Sequence, residues 1–156
     1  MKLWLLAVGQ KMPAWVETGF TEYQRRLPRE FALQLVEVRA EKRTAGKPVQ
    51  QIMAAERDRI LDALPTRSIL WALDEHGEQP DSLQWADWLQ TAQNEGDDLA
   101  LVIGGADGLH AEIRQRARRT VSLSKLTLPH ALVRVLVAEQ VFRAVSILNN
   151  HPYHRE

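Results

Sequence analysis

The sequence predicts an α/β domain with a mainly parallel sheet, and three observations carry that expectation. Apolar runs of strand length alternate with segments of helical period along the chain. A length of 156 residues with 45% hydrophobic content is enough for one well-buried core and too little for two ordinary domains, so residues 1–156 are expected to form one domain. No window approaches the ~18 to 20 unbroken apolar residues of a membrane span, and the start Met1 to Val8 is too short for a signal peptide's apolar region. A cytoplasmic location without membrane contact follows as an expectation.

Strands are expected near Lys2 to Val8, Ala32 to Val38, Ser68 to Leu73, Leu99 to Gly104 and Thr120 to Ser124, each followed by a helix. In the first helix Val16, Phe20, Tyr23 and Leu27 share one face. Pro65 ends the second helix. Asp81 or Ser82 caps the third, whose core stripe is Trp85, Trp88, Leu89 and Ala92, and Gly96 stops it. Arg39 to Pro48 is a long polar connection with the composition of a mobile loop. The last helix, from about Pro129 to Asn149, carries apolar residues nearly all the way round, among them Val133, Val135, Leu136, Val137, Val141 and Phe142. A sheet on one side cannot cover them all, so a partner subunit is expected to, with deep burial inside its own domain as the alternative.

Several chemistries are excluded by composition. The chain has no cysteine, which removes disulfides, thiolate nucleophiles and cysteine zinc sites. Lysine plus arginine equals aspartate plus glutamate, so no net field draws in a polyanion, and any RNA affinity must come from local patches. Two runs qualify: Arg25 to Lys47 in the first third, and Arg114, Arg116, Arg118 and Arg119 later. Solvated helix faces explain such runs equally well. His151 and His154 lack further ligands nearby, so no metal is expected.

In an open parallel sheet, ligands bind outside the carboxyl ends of the strands. Three turns there stand out: Asp74-Glu75-His76-Gly77, Gly104-Gly105-Ala106-Asp107-Gly108, and Ser122-Leu123-Ser124-Lys125-Leu126-Thr127-Leu128-Pro129-His130. The glycine turn matches neither the dinucleotide fingerprint nor a phosphate-cradling loop, which disfavours NAD and ATP. A tight structural turn would need the same glycines.

The run Leu126 to Arg134, then Glu139-Gln140-Val141-Phe142-Arg143-Ala144, ending Asn150-His151-Pro152-Tyr153-His154, resembles one family. It is similar to the small SPOUT-class methyltransferases that methylate N3 of a pseudouridine in 23S ribosomal RNA. The likeness extends over essentially the whole chain, because Val102 to Gly108 and Leu73-Asp74 also fall where that family has cofactor loops. The resemblance implies an α/β knot, with a trefoil knot near the carboxyl end, a homodimer, and S-adenosylmethionine as donor. It implies that Leu73, Gly104, Gly105, Ser122, Leu123, Ser124, Lys125, Leu126 and Thr127 line that donor. It also implies that the tail helps to form the target-nucleotide site, with the partner subunit as its source.

For the chemistry itself the candidates are His130, Arg143, Tyr153 and His154. The N3 imide of pseudouridine is protonated at neutral pH, so a side chain or a water must accept that proton; His130, His154 and Glu139 are suited to it. Tyr153 suits base stacking, and Arg143 or Arg155 suits a phosphate or base carbonyl. Each has a plainer reading: Glu139 and Arg143 are spaced as an i, i+4 ion pair, and His130 follows Pro129 at a helix start. The substrate is expected to be ribosomal RNA within an assembled ribosome, since a neutral chain grips naked RNA weakly. Two other classes share parts of the pattern, a non-catalytic ribosome-binding module and a small nucleotide-dependent oxidoreductase.

Overall fold

The computed structural model describes residues 1–154, so Arg155 lies outside the described residues. Five strands form one sheet: β1 (Leu3–Val8), β2 (Leu33–Val38), β3 (Ser68–Glu78), β4 (Asp98–Ile103) and β5 (Arg119–Val121). Their order is β2-β1-β4-β3-β5, and every pairing is parallel. The helices are α1 (Ala14–Gln24), α2 (Val49–Ala63), α3 (Ser82–Glu95), α4 (Ala111–Arg116) and α5 (His130–Leu148).

The period of two along each strand sends alternate side chains to opposite faces, and both faces are covered. Leu3, Leu5 and Ala7 of β1 join Leu99, Leu101 and Ile103 of β4 beneath α1, α3 and α5. Leu6, Val8, Ala100 and Val102 face the other way, toward Ile60 of α2 and Ile113 of α4. This double burial is why β1 and β4 read as continuous apolar runs. Trp71 of β3 anchors α3 through edge-on contacts with Trp85 and Trp88.

Local signals place the helix ends. Asp81 accepts the Gln84 amide and Gln84 returns a bond to the Asp81 amide, a complete capping box. Gly96 ends α3 in the left-handed region at φ 84. Helices α1, α2 and α5 begin directly after Pro13, Pro48 and Pro129. Leu27, assigned by period to the first helix, falls beyond α1 but still packs on the core.

Two expectations are corrected. Strand β3 does not stop at Leu73: it bulges and pairs again, Glu78 with Val121, and the Ser122 amide donates to the Glu78 carbonyl at 2.7 Å. Gly77 permits this, because a Cβ there would lie 2.5 Å from the Thr120 backbone. The segment Arg39 to Pro48 is pinned rather than loose. The Glu41 amide donates to buried Glu56, its carboxylate takes Lys47 Nζ at 3.0 Å and Arg59 Nη2 at 3.1 Å, and Arg43 pairs with Asp107. These bonds hold the Glu41 carboxyl at about 2, well below its ordinary value.

Helix α5 lies on the sheet between α1 and α3, and its own chain covers much of what was assigned to a partner. Gly19 lets α1 close on it, with Val135 3.2 Å from where a Cβ would sit. Val137, Ala138, Val141, Ala144 and Val145 are buried, while Leu132, Val133, Val135 and Leu136 stay half-buried.

Candidate active site

Because the strands are parallel, the loops after β1, β3, β4 and β5 leave the sheet at one edge. Three of them enclose a cavity of about 580 Å³. Leu73 comes from β3, Gly104 and Gly105 from the turn after β4, and Ser122, Leu123, Ser124, Leu126 and Thr127 from the loop after β5. His130 closes it at the start of α5. Lys125 is the one expected donor contact that does not line it; its side chain is exposed.

Backbone geometry shapes the walls. After β4 the chain turns sharply, the Gly108 amide donating to the Gly105 carbonyl at 3.0 Å with Gly108 at φ 82. A Cβ on Gly104 would stand 2.7 Å from the Gly108 backbone, and one on Gly105 would stand 2.8 Å from the Glu56 carboxylate. The turn itself therefore requires Gly104, whereas Gly105 is required by the Glu56 carboxylate packed against it. The loop after β5 is stapled internally: Ser122 Oγ donates to the Ser124 carbonyl, and Ser124 Oγ accepts the Leu126 amide, both at 2.9 Å.

Glu56, which the sequence did not single out, joins Asp74, Arg134 and His130 in setting the electrostatics. Glu56 is buried behind Gly105, and burial pushes its carboxyl up, with Asp107 adding to the effect. Asp74 accepts both the backbone amide and Nδ1 of His76, at 2.9 and 3.1 Å, with Arg114 at 3.9 Å. Arg134, 1% exposed in the first turns of the apolar helix, donates to Glu37 and to the Gly9 carbonyl, each at 2.8 Å. One turn earlier His130 donates through Nε2 to the Val8 carbonyl at 2.5 Å. Burial of that imidazole lowers its pKa, and Arg134 adds to the shift. Together the two side chains clasp the end of β1 to the start of α5.

The remaining candidates gather elsewhere. Arg143 lies toward the carboxyl end of α5, about 20 Å from His130 at the helical rise of ~1.5 Å per residue, and Tyr153 and His154 gather beside it. Glu139 accepts Arg143 Nη2 at 2.7 Å and the Tyr153 hydroxyl at 3.0 Å, and the Arg143 guanidinium sits 4.9 Å from the Tyr153 ring centre. Burial and the Glu139 bond push the Tyr153 phenol up. Phe142 packs edge-on against Tyr153 at 4.6 Å. A second cavity, of about 540 Å³, is lined by Ser82, Gln140, Arg143 and His154. Nδ1 of His154 is buried there without a hydrogen-bond partner. One chain thus does not bring these groups to the first cavity.

No group of three or more potential metal ligands occurs among the described residues. None of their helices is long and apolar enough to cross a membrane.

A doubly covered parallel sheet with a cavity walled by backbone turns at its carboxyl edge defines an α/β protein built to hold a small ligand there. The chain belongs to the SPOUT methyltransferase family: the family model described as "Predicted SPOUT methyltransferase" matches residues 1–154. Full-length relatives agree. Ribosomal RNA large subunit methyltransferase H of Laribacter hongkongensis is 53% identical over 156 residues, covering 100% of both chains. The protein of the same name from Neisseria meningitidis is 51% identical, again over 100% of each. Among solved structures, a methylase family protein from Neisseria gonorrhoeae shares the fold, with a TM-score of 0.52 at 16% identity, covering 90% of this chain and 81% of that one.

Proposed function

We infer that this chain transfers a methyl group from S-adenosylmethionine to N3 of a pseudouridine in 23S ribosomal RNA, acting in the cytoplasm on assembled ribosomes. The observation that carries the reading is the convergence of three sequence-distant loops on one cavity, in a chain whose full-length relatives bear the name of a large-subunit RNA methyltransferase.

The residues present fit that donor. The cavity falls within the roughly 300 to 1,000 Å³ typical of small-molecule sites. Its walls combine main chain at Gly104 to Gly108 with Leu73, Ile103, Val121 and Leu128, which suits adenosine. Asp74 and Glu75 offer negative charge to a cationic ligand, Asp107 being paired with Arg43, and no cluster of cations among the lining residues marks a phosphate. When bound, S-adenosylmethionine supplies an electrophilic methyl group.

The chain's own work is positioning. Arg134 and His130 hold the loop after β5 against β1. Tyr153 and Arg143, fixed by Glu139, offer an aromatic face and a guanidinium to the target base. His130 Nε2 is engaged by Val8, and Glu139 already receives Arg143, Tyr153 and Gln140. The His154 imidazole, which lines the second cavity, is the group we assign to accept the N3 proton.

A homodimer completes the proposal. The half-buried stripe of α5 would pack on a second copy, and the partner's carboxyl end would bridge the ~20 Å between the two clusters. The knotted carboxyl end implied by the family resemblance belongs to the same proposal.

The test is incubation of unmodified ribosomes with the protein and labelled S-adenosylmethionine, followed by nucleoside mass spectrometry. Label in N3-methylpseudouridine is the expected result. Label in another nucleoside, or none, overturns it.

A further inference from the structure

The chain is neutral overall, so the placement of its unpaired charges decides where a polyanion meets it. Most of the arginine runs are internally neutralised. Arg25 and Arg26 share Glu22, Arg116 pairs with Glu112, Arg118 with Glu95, and Arg119 with Glu78. Among the described residues the cations without an ion pair are Lys2, Lys11, Arg29, Arg39, Lys42 and Lys125.

Their positions are not scattered. Lys2 and Arg29 precede β1 and β2, at the amino edge of the sheet. Lys11 follows β1, Arg39 and Lys42 follow β2, and Lys125 follows β5. In a parallel sheet those three loops leave the carboxyl edge, where the first cavity opens. The loop bearing Arg39 and Lys42 is pinned by the Glu41 bonds and by Arg43 on Asp107, a cavity wall residue. Its cations are presented on a fixed backbone, so ordering them on binding costs little.

We propose that the carboxyl edge is an RNA-docking face, with Lys11, Arg39, Lys42 and Lys125 neutralising phosphates on either side of the target nucleotide. This rests on the methyltransferase reading above and gives Lys125 a phosphate where the family resemblance gave it the donor. A target base must leave its stack to reach a cavity, which costs least where the flanking RNA is single-stranded. Each phosphate contact in single-stranded nucleic acid contributes about 0.7 to the slope of log K against log salt.

The experiment measures binding of wild type, the Lys11→Gln/Lys42→Gln double variant and the Lys2→Gln/Arg29→Gln double variant to assembled ribosomes lacking the modification, by co-sedimentation from about 50 to 200 mM salt. The carboxyl-edge variant should bind more weakly, with a slope shallower by about 0.7 for each lysine removed. The amino-edge variant should follow wild type. Calorimetry with S-adenosylmethionine alone should give all three the same donor affinity, which also verifies folding. Equal slopes for the two double variants overturn the docking face. Wild type that binds with the steep slope yet transfers no methyl group supports the docking face and sinks the proposed reaction instead.

Discussion

Arg134 Nη2 donates to the carbonyl of Gly9 at 2.8 Å, joining the first turns of α5 to the end of β1 through a side chain on a residue that is 1% exposed. Its other arm holds Glu37, whose side chain is 36% exposed. Removing one partner of a buried pair is expensive chiefly for the charge left behind. Glu37 can rehydrate, so Arg134→Met should cost about 3 kcal/mol, the lower end of that range. The clasp also positions the cavity loop after β5, so donor affinity should fall about tenfold, equivalent to ~1.4 kcal/mol. Urea unfolding and calorimetry read the two effects. Arg134→Lys, which keeps the charge and one bond, should recover part of both. Loss of stability with unaltered donor affinity would separate the clasp from the site.

Gly104 and Gly105 are adjacent but should fail differently. A methyl group on Gly104 meets the Gly108 backbone at 2.7 Å, and backbone cannot step aside without opening the turn. On Gly105 it meets the Glu56 carboxylate at 2.8 Å, the end of a side chain. Gly104→Ala should therefore weaken donor binding more than Gly105→Ala. Adding Glu56→Ala should rescue Gly105→Ala but not Gly104→Ala, with a coupling of about 1 kcal/mol in a double-mutant cycle. Additive effects at Gly105 and Glu56 would reject this account.

The sheet was legible because its strands are buried on both faces and read as short apolar runs. The capping box at Asp81 and the stop at Gly96 were equally plain, since each is a local chemical event. The second half of β3 was not: Asp74 to Glu78 is polar, and its pairing depends on a bulge that brings Gly77 onto Thr120, a contact between distant residues. The loop after β2 read as mobile because its composition is polar, yet Glu56 and Arg59 of α2 and Asp107 of the turn after β4 hold it, with Lys47 pairing to Glu41 inside the loop. Glu56 left no signal at all, being one charge on an amphipathic helix. Arg134 did leave one, a lone cation within an apolar helix, and no partner was assignable without the fold.

Arg143, with Tyr153 and His154 gathered beside it, stands about 20 Å from His130 along α5 by the helical rise of ~1.5 Å per residue. Tyr153→Ala and His154→Ala should reduce turnover by roughly 10² to 10⁴ if they position the base and take its proton, with donor affinity nearly unchanged. In the proposed dimer each site draws on both chains. Co-expressing Gly104→Ala, which spoils the donor cavity, with Tyr153→Ala should then restore activity that neither variant has alone. Methyl transfer by the purified mixed species checks it, and mixtures as inactive as their parents would contradict a shared site.

His130 should make stability fall on mild acidification. Burial lowers its pKa below the ordinary 6.5, so the unfolded chain takes up its proton before the folded one does. Above pH 6.5 the imidazole is neutral in both states and contributes no slope. Between 6.5 and the lowered folded value stability should decline with falling pH, and below that value the loss is complete. The raised carboxyl of Glu56 acts in the opposite sense, since the folded state binds that proton more tightly, so the comparison must be between variants rather than absolute. His130→Gln keeps an N–H for the Val8 carbonyl and removes the titration. Urea unfolding from pH 7.5 to 5 should give a flatter stability curve for the variant, converging on wild type as pH falls. Parallel curves would mean that the imidazole titrates alike in both states and that its bond to Val8 is the whole of its structural role.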